Sequence, residues 1–146
     1  MNLVVVAIIT VLVDQLTKYI ISADIPLNTS IPIIENVFHI TYILNAGAAF
    51  GMLEDSRWFF VAMAVLVLAA FVYYRRLILS EDKFIQYGCA LFAGGALGNL
   101  IDRIHTGLVI DFFDFRIWPI FNVADIAICV GVGCIIWSVL METKKA

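Results

Sequence analysis

The sequence predicts an all-α membrane protein with a small β element, in which four transmembrane helices carry a β-sheet on the extracytoplasmic surface. The first observation is composition: 63% of the 146 residues are hydrophobic, 14% are charged and the mean hydropathy is +1.01, values typical of a chain whose solvent is lipid. The second is a set of apolar runs long enough, at roughly 20 residues, to cross about 30 Å of hydrocarbon. They cover about residues 3–22, 57–74, 84–104 and 122–140. We therefore expect residues 1–146 to form a single integral membrane domain.

The first apolar run could be a cleaved signal peptide or a retained helix. No Lys or Arg precedes it, Asp14 and Lys18 interrupt it, and "ISA" is a poor cleavage site, so we expect a retained helix. The Lys and Arg residues outside the runs concentrate in the middle loop and near the end of the sequence: Arg75, Arg76, Lys83, Lys144 and Lys145. Because cytoplasmic segments carry the excess of Lys and Arg, we expect both termini to be cytoplasmic.

Two connections on the opposite, outer side are longer than simple turns. The first, about residues 23–56, contains "VFHITYIL" at 37–44, whose alternation is typical of a β-strand with one apolar face. The second, about residues 105–121, contains "GLVIDFFDFRIWPI", which is also rich in β-branched and aromatic residues. We expect a small sheet at the membrane surface, with the second connection leading into the fourth helix.

Polar residues in the first and third runs need a partner or a function, because each carries a desolvation cost in lipid. Asp14 and Lys18 lie four residues apart on one helical face, which fits either an internal ion pair or a role in positioning a substrate. Gly94 and Gly98 form a GxxxG pattern, which favours close helix packing over chemistry.

A second polar group lies near the outer ends of the third and fourth runs. Asn99, Asp102 and Arg103 form one helical stripe, and Arg103 needs an anionic partner because it does not lose its proton. In the fourth run Asn122 fits a helix N-cap, and Asp125 then occupies the third helical position, where a carboxylate meets the positive end of the helix dipole. For Asp125 alone, capping is a sufficient explanation.

Four carboxylates nevertheless converge at one membrane face: Asp102, Asp111, Asp114 and Asp125. Two carboxyl groups about 3 Å apart cannot both ionise easily, so such a pair can share a proton, activate a water and protonate the carbonyl that the water attacks. This is aspartic protease chemistry. Spacing alone does not say which two meet, although Asp111 and Asp114 face opposite sides of an extended strand.

Other classes of function have less support. The net charge of −3 offers no basic surface for nucleic acid, no CxxC or HExxH spacing predicts a metal site, and no GxSxG or SxxK motif supports serine chemistry. We expect no cofactor. A small carrier that binds a proton or cation with the same carboxylates is one alternative. A non-catalytic membrane assembly subunit is another.

Five short motifs, in order along nearly the whole chain, resemble the conserved boxes of lipoprotein signal peptidase, or signal peptidase II, a family of aspartyl endopeptidases. They are "DQLTK" at 14–18, "NAGAAFG" at 45–51, "GNLIDR" at 98–103, "VIDF" at 109–112 and "FNVAD" at 121–125. The resemblance implies that Asp111 and Asp125 are the catalytic pair. Asp114 falls outside the boxes and is an additional nearby acid, which we rank after Asp111 as a spare. It implies supporting or substrate-binding roles for Asp14, Lys18, Asn45, Gly47, Asn99, Asp102, Arg103, Asn122 and Ala124.

The resemblance also implies the substrate and the location. Members of the family remove signal peptides from prolipoproteins whose Cys carries diacylglyceryl, cutting just before that Cys, in the bacterial cytoplasmic membrane. We therefore expect a multi-pass membrane protease whose partners are a lipidated prolipoprotein and membrane lipids. We expect the active site to face the outer side, the surface sheet to close over the bound peptide, and the working unit to be a monomer.

Overall fold

A computed structural model of the chain describes residues 2–47 and 56–143. Within these described residues, five helices and three strands follow one another in the order α1, β1, β2, α2, α3, α4, β3 and α5. The helices are α1 (Leu3–Asp24), α2 (Arg57–Tyr73), α3 (Arg75–Ser80), α4 (Lys83–His105) and α5 (Val123–Thr143), and the strands are β1 (Ser30–Ile34), β2 (Phe38–Asn45) and β3 (Val109–Asp114). The mostly helical architecture with a small sheet agrees with the sequence prediction.

Each of the four predicted apolar runs contains a helix. Three of these helices, α1, α4 and α5, are long and apolar enough to cross a membrane. The fourth, α2, is a shorter apolar helix of 17 residues, none of which is buried in the protein, so its surface is available to lipid. The short helix α3 in the middle loop was not predicted, because its six residues carry no clear periodic signal.

Helix α4 lies at the centre of the bundle and packs against α1, α2 and α5. Its glycines allow this close packing. A Cβ on Gly94 would lie 2.9 Å from the carbonyl oxygen of Ala7 in α1, and one on Gly88 would lie 2.7 Å from the carbonyl oxygen of Gly131 in α5. The GxxxG pattern thus packs helices, as predicted.

The three strands form an antiparallel sheet in the order β1-β2-β3. Strand β1 is the edge strand and contains Pro32, which is compatible with an edge because proline cannot donate to a ladder. The pairing of β2 with β3 brings Ile43 opposite Asp111, and the register shifts between Ile40 and Ile43. Asp111 therefore lies in the sheet, and its side chain is close to Asn122 at the beginning of α5.

Candidate active site

The N-terminus of α5 is closed by a reciprocal cap between Asn122 and Asp125. The backbone N–H of Asp125 donates to Oδ1 of Asn122 at 3.0 Å, and the backbone N–H of Asn122 donates to Oδ2 of Asp125 at 3.1 Å. This is the geometry of a capping box, with Asn and Asp in place of the usual Ser or Thr and Glu. The predicted cap is therefore present, and it leaves the other oxygen of Asp125 available for a different contact.

That other oxygen is bound by Asn99 of α4. The side-chain nitrogen of Asn99 lies 2.8 Å from Oδ1 of Asp125, while its oxygen accepts from the ammonium of Lys18 at 2.9 Å. Because Lys can only donate, it fixes which end of the Asn99 amide faces Asp125. Lys18 thus orients Asp125 through Asn99.

Asp111, in β3, is held on both oxygens by amide donors. The side-chain nitrogen of Asn122 lies 2.6 Å from Oδ1, and that of Asn45 lies 2.8 Å from Oδ2. Burial is the main cause that raises the pKa of Asp111 to about 7, and the negative charge of Asp125 contributes to the same rise. The hydrogen bonds from Asn45 and Asn122 favour the ionised form and oppose this rise. Near neutral pH this carboxyl can therefore hold a proton that it can donate.

Both carboxyl groups line one cavity of about 610 Å³. Six of the predicted site residues contribute to its wall: Asn45, Gly47, Asn99, Arg103, Asp111 and Asp125. The rest of the wall is largely apolar and includes Phe60 of α2, residues 118–121 and residues 126–130 of α5 except Ala127. The cavity thus combines a pair of acids with a hydrophobic surface, the composition of a pocket that binds a ligand with both polar and apolar groups.

Arg103 lies in the wall of this cavity. Its Nη2 donates to the carbonyl oxygen of Gly47 at 3.1 Å, and its guanidinium stacks over the ring of Phe60, with 4.5 Å between Cζ and the ring centroid. The peptide oxygen and the aromatic face hold the guanidinium in place. Gly47 in turn donates its backbone N–H to Oδ1 of Asn45 at 2.9 Å.

The predicted pair of Asp14 and Lys18 forms the centre of a buried cluster behind the cavity. Asp14 is 0% exposed and Lys18 is 2% exposed, and Nζ of Lys18 lies 2.9 Å from a carboxylate oxygen of Asp14 and 2.9 Å from one of Asp102. Neither Asp14 nor Lys18 lines the cavity. The geometry favours the ion-pair interpretation over direct contact with a substrate.

Two of these acids also hold backbone groups beside the site. Oδ1 of Asp14 accepts from the backbone N–H of Ala124 at 2.9 Å, so a residue of α1 helps to cap α5. Asp102 accepts from the backbone N–H of Ile110 at 3.3 Å, immediately before Asp111. The buried cluster therefore fixes the two chain segments that carry Asp111 and Asp125.

Asp114 lies outside the cavity wall and belongs to a different network. It accepts from Thr41 at 2.8 Å and forms an ion pair with Arg116 at 2.8 Å. Burial alone would raise the pKa of Asp114, but hydrogen bonds from Thr41 and Arg116 and the charge of Arg116 outweigh it and hold this pKa below its usual value. Its partners stabilise an ionised carboxylate, which is poorly suited to sharing a proton.

Sequence reasoning missed the apolar residues of the cavity wall and one polar residue of the buried cluster, Gln15. Gln15 donates from Nε2 to Asp14 at 3.2 Å, to the carbonyl oxygen of Gly98 at 3.2 Å and to Asp102 at 2.9 Å. Its presence in an apolar run next to Asp14 was a usable signal. Phe60, one of the apolar wall residues, carries no such signal, because an aromatic residue in an apolar helix usually faces lipid or the core.

Comparison with known proteins agrees with this geometry. Residues 6–141 match the family described as Signal peptidase (SPase) II. The lipoprotein signal peptidase of Pelotomaculum thermopropionicum is 42% identical over 146 residues, with 100% of this chain and 96% of the relative covered. That of Symbiobacterium thermophilum is 44% identical, with 97% and 96% covered. The chain belongs to the signal peptidase II family.

Solved structures of bacterial membrane enzymes share the fold of this chain. A bacterial membrane enzyme determined at 2.3 Å resolution superposes with a TM-score of 0.89 at 37% identity, covering 98% of this chain and 90% of that one. A second, at 1.9 Å, gives 0.83 at the same identity, covering 94% and 92%. The apolar helices and the bacterial signal peptidase II relatives together indicate that the chain is a multi-pass membrane protein.

The five signal peptidase II boxes meet at one place in the fold. The first lies in α1, the third in α4, the fourth in β3 and the fifth at the start of α5. The second begins at Asn45 and Gly47, beside Asp111, and its last residues, 48–51, lie outside the described part of the chain. The catalytic and supporting roles implied by the boxes stay predictions.

Proposed function

We propose that this protein is an aspartic endopeptidase that cleaves the signal peptide from diacylglyceryl-modified prolipoproteins, immediately before the lipidated Cys. Family membership supports a protease that acts on lipoprotein signal peptides. The observation that carries the aspartic mechanism is the pair formed by Asp111 and Asp125 in the wall of a single cavity, with the pKa of Asp111 raised to about 7. None of the findings favours the carrier or the assembly subunit.

In the proposed reaction the two carboxyl groups have different protonation states. The ionised carboxylate of Asp125 takes a proton from a water whose oxygen attacks the scissile carbonyl carbon, while Asp111 donates its proton to the carbonyl oxygen. The tetrahedral intermediate then collapses: the C–N bond breaks, Asp125 returns its proton to the amine nitrogen, and Asp111 recovers a proton from the hydroxyl that becomes the carboxyl oxygen. The pair ends in its initial state.

The surrounding residues act by orientation in this proposal. Asn99 and Asn122 hold the carboxylates by hydrogen bonds to defined oxygens. Arg103 offers further N–H groups to a substrate carbonyl or a lipid oxygen. Asn45 and Gly47 connect the site to the surface sheet, which we propose closes over the bound peptide.

The membrane arrangement belongs to the same proposal. We place residues 1–146 in one domain with four crossings, the 17-residue α2 being the shortest, at the lower end of the length that spans a bilayer. The Lys and Arg distribution supports cytoplasmic termini and an active site towards the outer face of the inner membrane. We propose a monomer in contact with membrane lipids. Reporter fusions test this orientation. A reporter at the C-terminus should report the cytoplasm and a reporter in the sheet should report the outer side, and the opposite pattern would overturn the proposed orientation.

The central experiment compares cleavage of a lipidated and an unlipidated prolipoprotein peptide by purified protein in detergent. Asp111→Asn and Asp125→Asn should each reduce kcat by roughly 10²–10⁴-fold, the usual contribution of a general acid or base. Asp114→Asn is the matched control and should retain cleavage, since Asp114 lies outside the cavity wall. Preference for the unlipidated peptide, or full activity of both site variants, would contradict the proposal.

A further inference from the structure

An exposed apolar surface lies beside the cavity and has no role in the proposed chemistry. It consists of the tip, defined as residues 115–118, and the hairpin turn, defined as residues 33–37, which are the end of β1 and the turn that leads to β2. In the tip, Ile117 is 93% exposed and Trp118 is 62% exposed. In the hairpin turn the exposed apolar residues are Ile33, Ile34 and Val37. Soluble surfaces rarely expose so many large apolar side chains together.

Aromatic contacts join the two parts into one surface. Phe38, which follows the hairpin turn, lies 4.9 Å from Phe115 of the tip between ring centroids. Phe115 in turn stacks on Phe121 at 5.9 Å with an interplanar angle of 5°. The tip and the hairpin turn are therefore fixed relative to each other and to the segment that leads into α5.

The tip is also held rigidly by Asp114. The backbone N–H of Arg116 donates to Asp114 at 2.8 Å, and the guanidinium of Arg116 forms the ion pair already described. Arg116 adopts a φ of 66°, in the left-handed region, and the backbone N–H of Ile117 bonds to the carbonyl oxygen of Phe115 at 2.8 Å. This turn directs Ile117 outward, and the ion pair leaves the tip without net charge.

The position of the tip indicates what covers it. Trp118 and the next three residues line the cavity, and the chain then enters α5, whose outward face is made of large apolar residues such as Val130 and Ile136. The exposed surface is thus continuous with the lipid-facing surface of a membrane helix. Trp beside Arg is the composition found where a protein meets lipid headgroups.

We propose that the tip and the hairpin turn insert into the lipid interface and hold the sheet, and with it the cavity mouth, at the level of the headgroups. The occupant of this surface is phospholipid. The placement of this contact in the outer leaflet and its effect on cleavage rest on the proposed function. Contact with lipid is independent of catalysis, so its test can fail while the protease proposal stands, and the reverse.

The test measures quenching of Trp118 fluorescence in the full chain. A reporter protein with Trp58→Phe and Trp137→Phe retains Trp118, and a matched reporter retains Trp137 in α5 as the membrane-embedded reference. Each is reconstituted in phosphatidylcholine vesicles containing lipids brominated near the glycerol end or near the methyl end of the acyl chain. Iodide serves as the aqueous quencher.

We expect strong quenching of Trp118 by bromines near the glycerol end and weaker quenching by bromines near the methyl end. Quenching by iodide alone would mean that the tip lies in water, and protection from both quenchers would mean that a protein surface, such as a second copy, covers it. Either result overturns the proposal, as does maximal quenching by the deep bromines.

A substitution in the tip provides a second measurement. Ile117→Asp should reduce lipid quenching of Trp118 and raise KM for a lipidated peptide in vesicles, with kcat retained. The same substitution at Leu79, an exposed residue of α3, is the matched control and should leave Trp118 quenching unchanged. Unaltered quenching and KM in Ile117→Asp would contradict insertion.

Discussion

The side-chain nitrogen of Asn122 lies 2.6 Å from Oδ1 of Asp111. Asn122 is also the cap of the helix that carries Asp125, and its own backbone N–H binds that carboxylate. One asparagine therefore sets the position of both acids. The same amide approaches the oxygen of Asn99 at 3.1 Å, which links the pair to the buried Lys18.

The first prediction separates the two roles of Asn122. Asn122→Ser keeps a good N-cap but loses the amide that reaches Asp111, whereas Asn122→Ala loses both. We expect both variants to have reduced kcat, and only Asn122→Ala to lose about 1 kcal/mol of stability from the missing cap. Thermal unfolding in detergent and cleavage kinetics measure the two effects. Wild-type kcat in Asn122→Ser would show that the contact with Asp111 is dispensable.

The second prediction concerns the pH dependence of cleavage. Because the pKa of Asp111 is raised to about 7 and the proposed reaction needs its proton, kcat/KM should fall as the pH rises above 7. Asn45 donates to the ionised form, so Asn45→Ala should raise the pKa of Asp111 and move the alkaline limb up by about 1 pH unit, the equivalent of one hydrogen bond to a charged group. If the alkaline limb does not move in Asn45→Ala, it reports the ionisation of a group other than Asp111.

The third prediction is the effect of the same carboxyl on stability. Since burial and the charge of Asp125 raise the pKa of Asp111 above its unfolded value of 3.8, the folded protein binds the proton more tightly. The resulting stabilisation is complete below that value and is lost as the pH rises through about 7. The free energy of unfolding should decline over this range, and the decline should be smaller in Asp111→Asn. An identical slope in both proteins would rule out Asp111 as its source.

The fourth prediction contrasts two ion pairs. Lys18→Met leaves Asp14 and Asp102 buried without their cation and should lower the free energy of unfolding by about 3–5 kcal/mol. Arg116 is 48% exposed in its pair with Asp114, so Arg116→Met should cost at most about 1 kcal/mol. Unfolding temperatures in detergent compare the two. Equal losses of stability in the two variants would mean that the buried ion pair contributes no more to stability than the exposed one.

The fifth prediction tests the packing of α4 on α5. A Cβ on Gly95 would overlap the carbonyl oxygen of Ala124, whereas one on Gly133 would meet nothing within 4 Å. Gly95→Ala should therefore destabilise the protein and reduce activity by displacing the start of α5. Gly133→Ala is the matched control and should be neutral or stabilising by up to about 1 kcal/mol, because alanine favours helix. Tolerance of Gly95→Ala would require the helices to separate without affecting Asp125.

The sequence predicted the four long helices and the strand around residue 41 because long apolar runs and strict alternation are local signals. It also predicted the cap at Asn122, whose pattern lies within four residues. The contact of Asp14 with Ala124 could not be predicted in this way, since it joins α1 to α5. It also requires a glycine at position 98, because a Cβ there would lie 2.5 Å from the Asp14 carboxylate. Nor could spacing choose between Asp111 and Asp114; their hydrogen-bond partners distinguish them.

The hydrogen bond from Ala124 to Asp14 joins residues 110 positions apart. During synthesis α1 leaves the ribosome before α5, so the hydrogen bond between Asp14 and Ala124 forms only after α5 has entered the bilayer. Until then Asp125 lacks both Asn99 and the cap from α1 that hold its segment in place. A chain that lacks α5 therefore cannot bring Asp125 beside Asp111, and under the proposed mechanism it would have no peptidase activity.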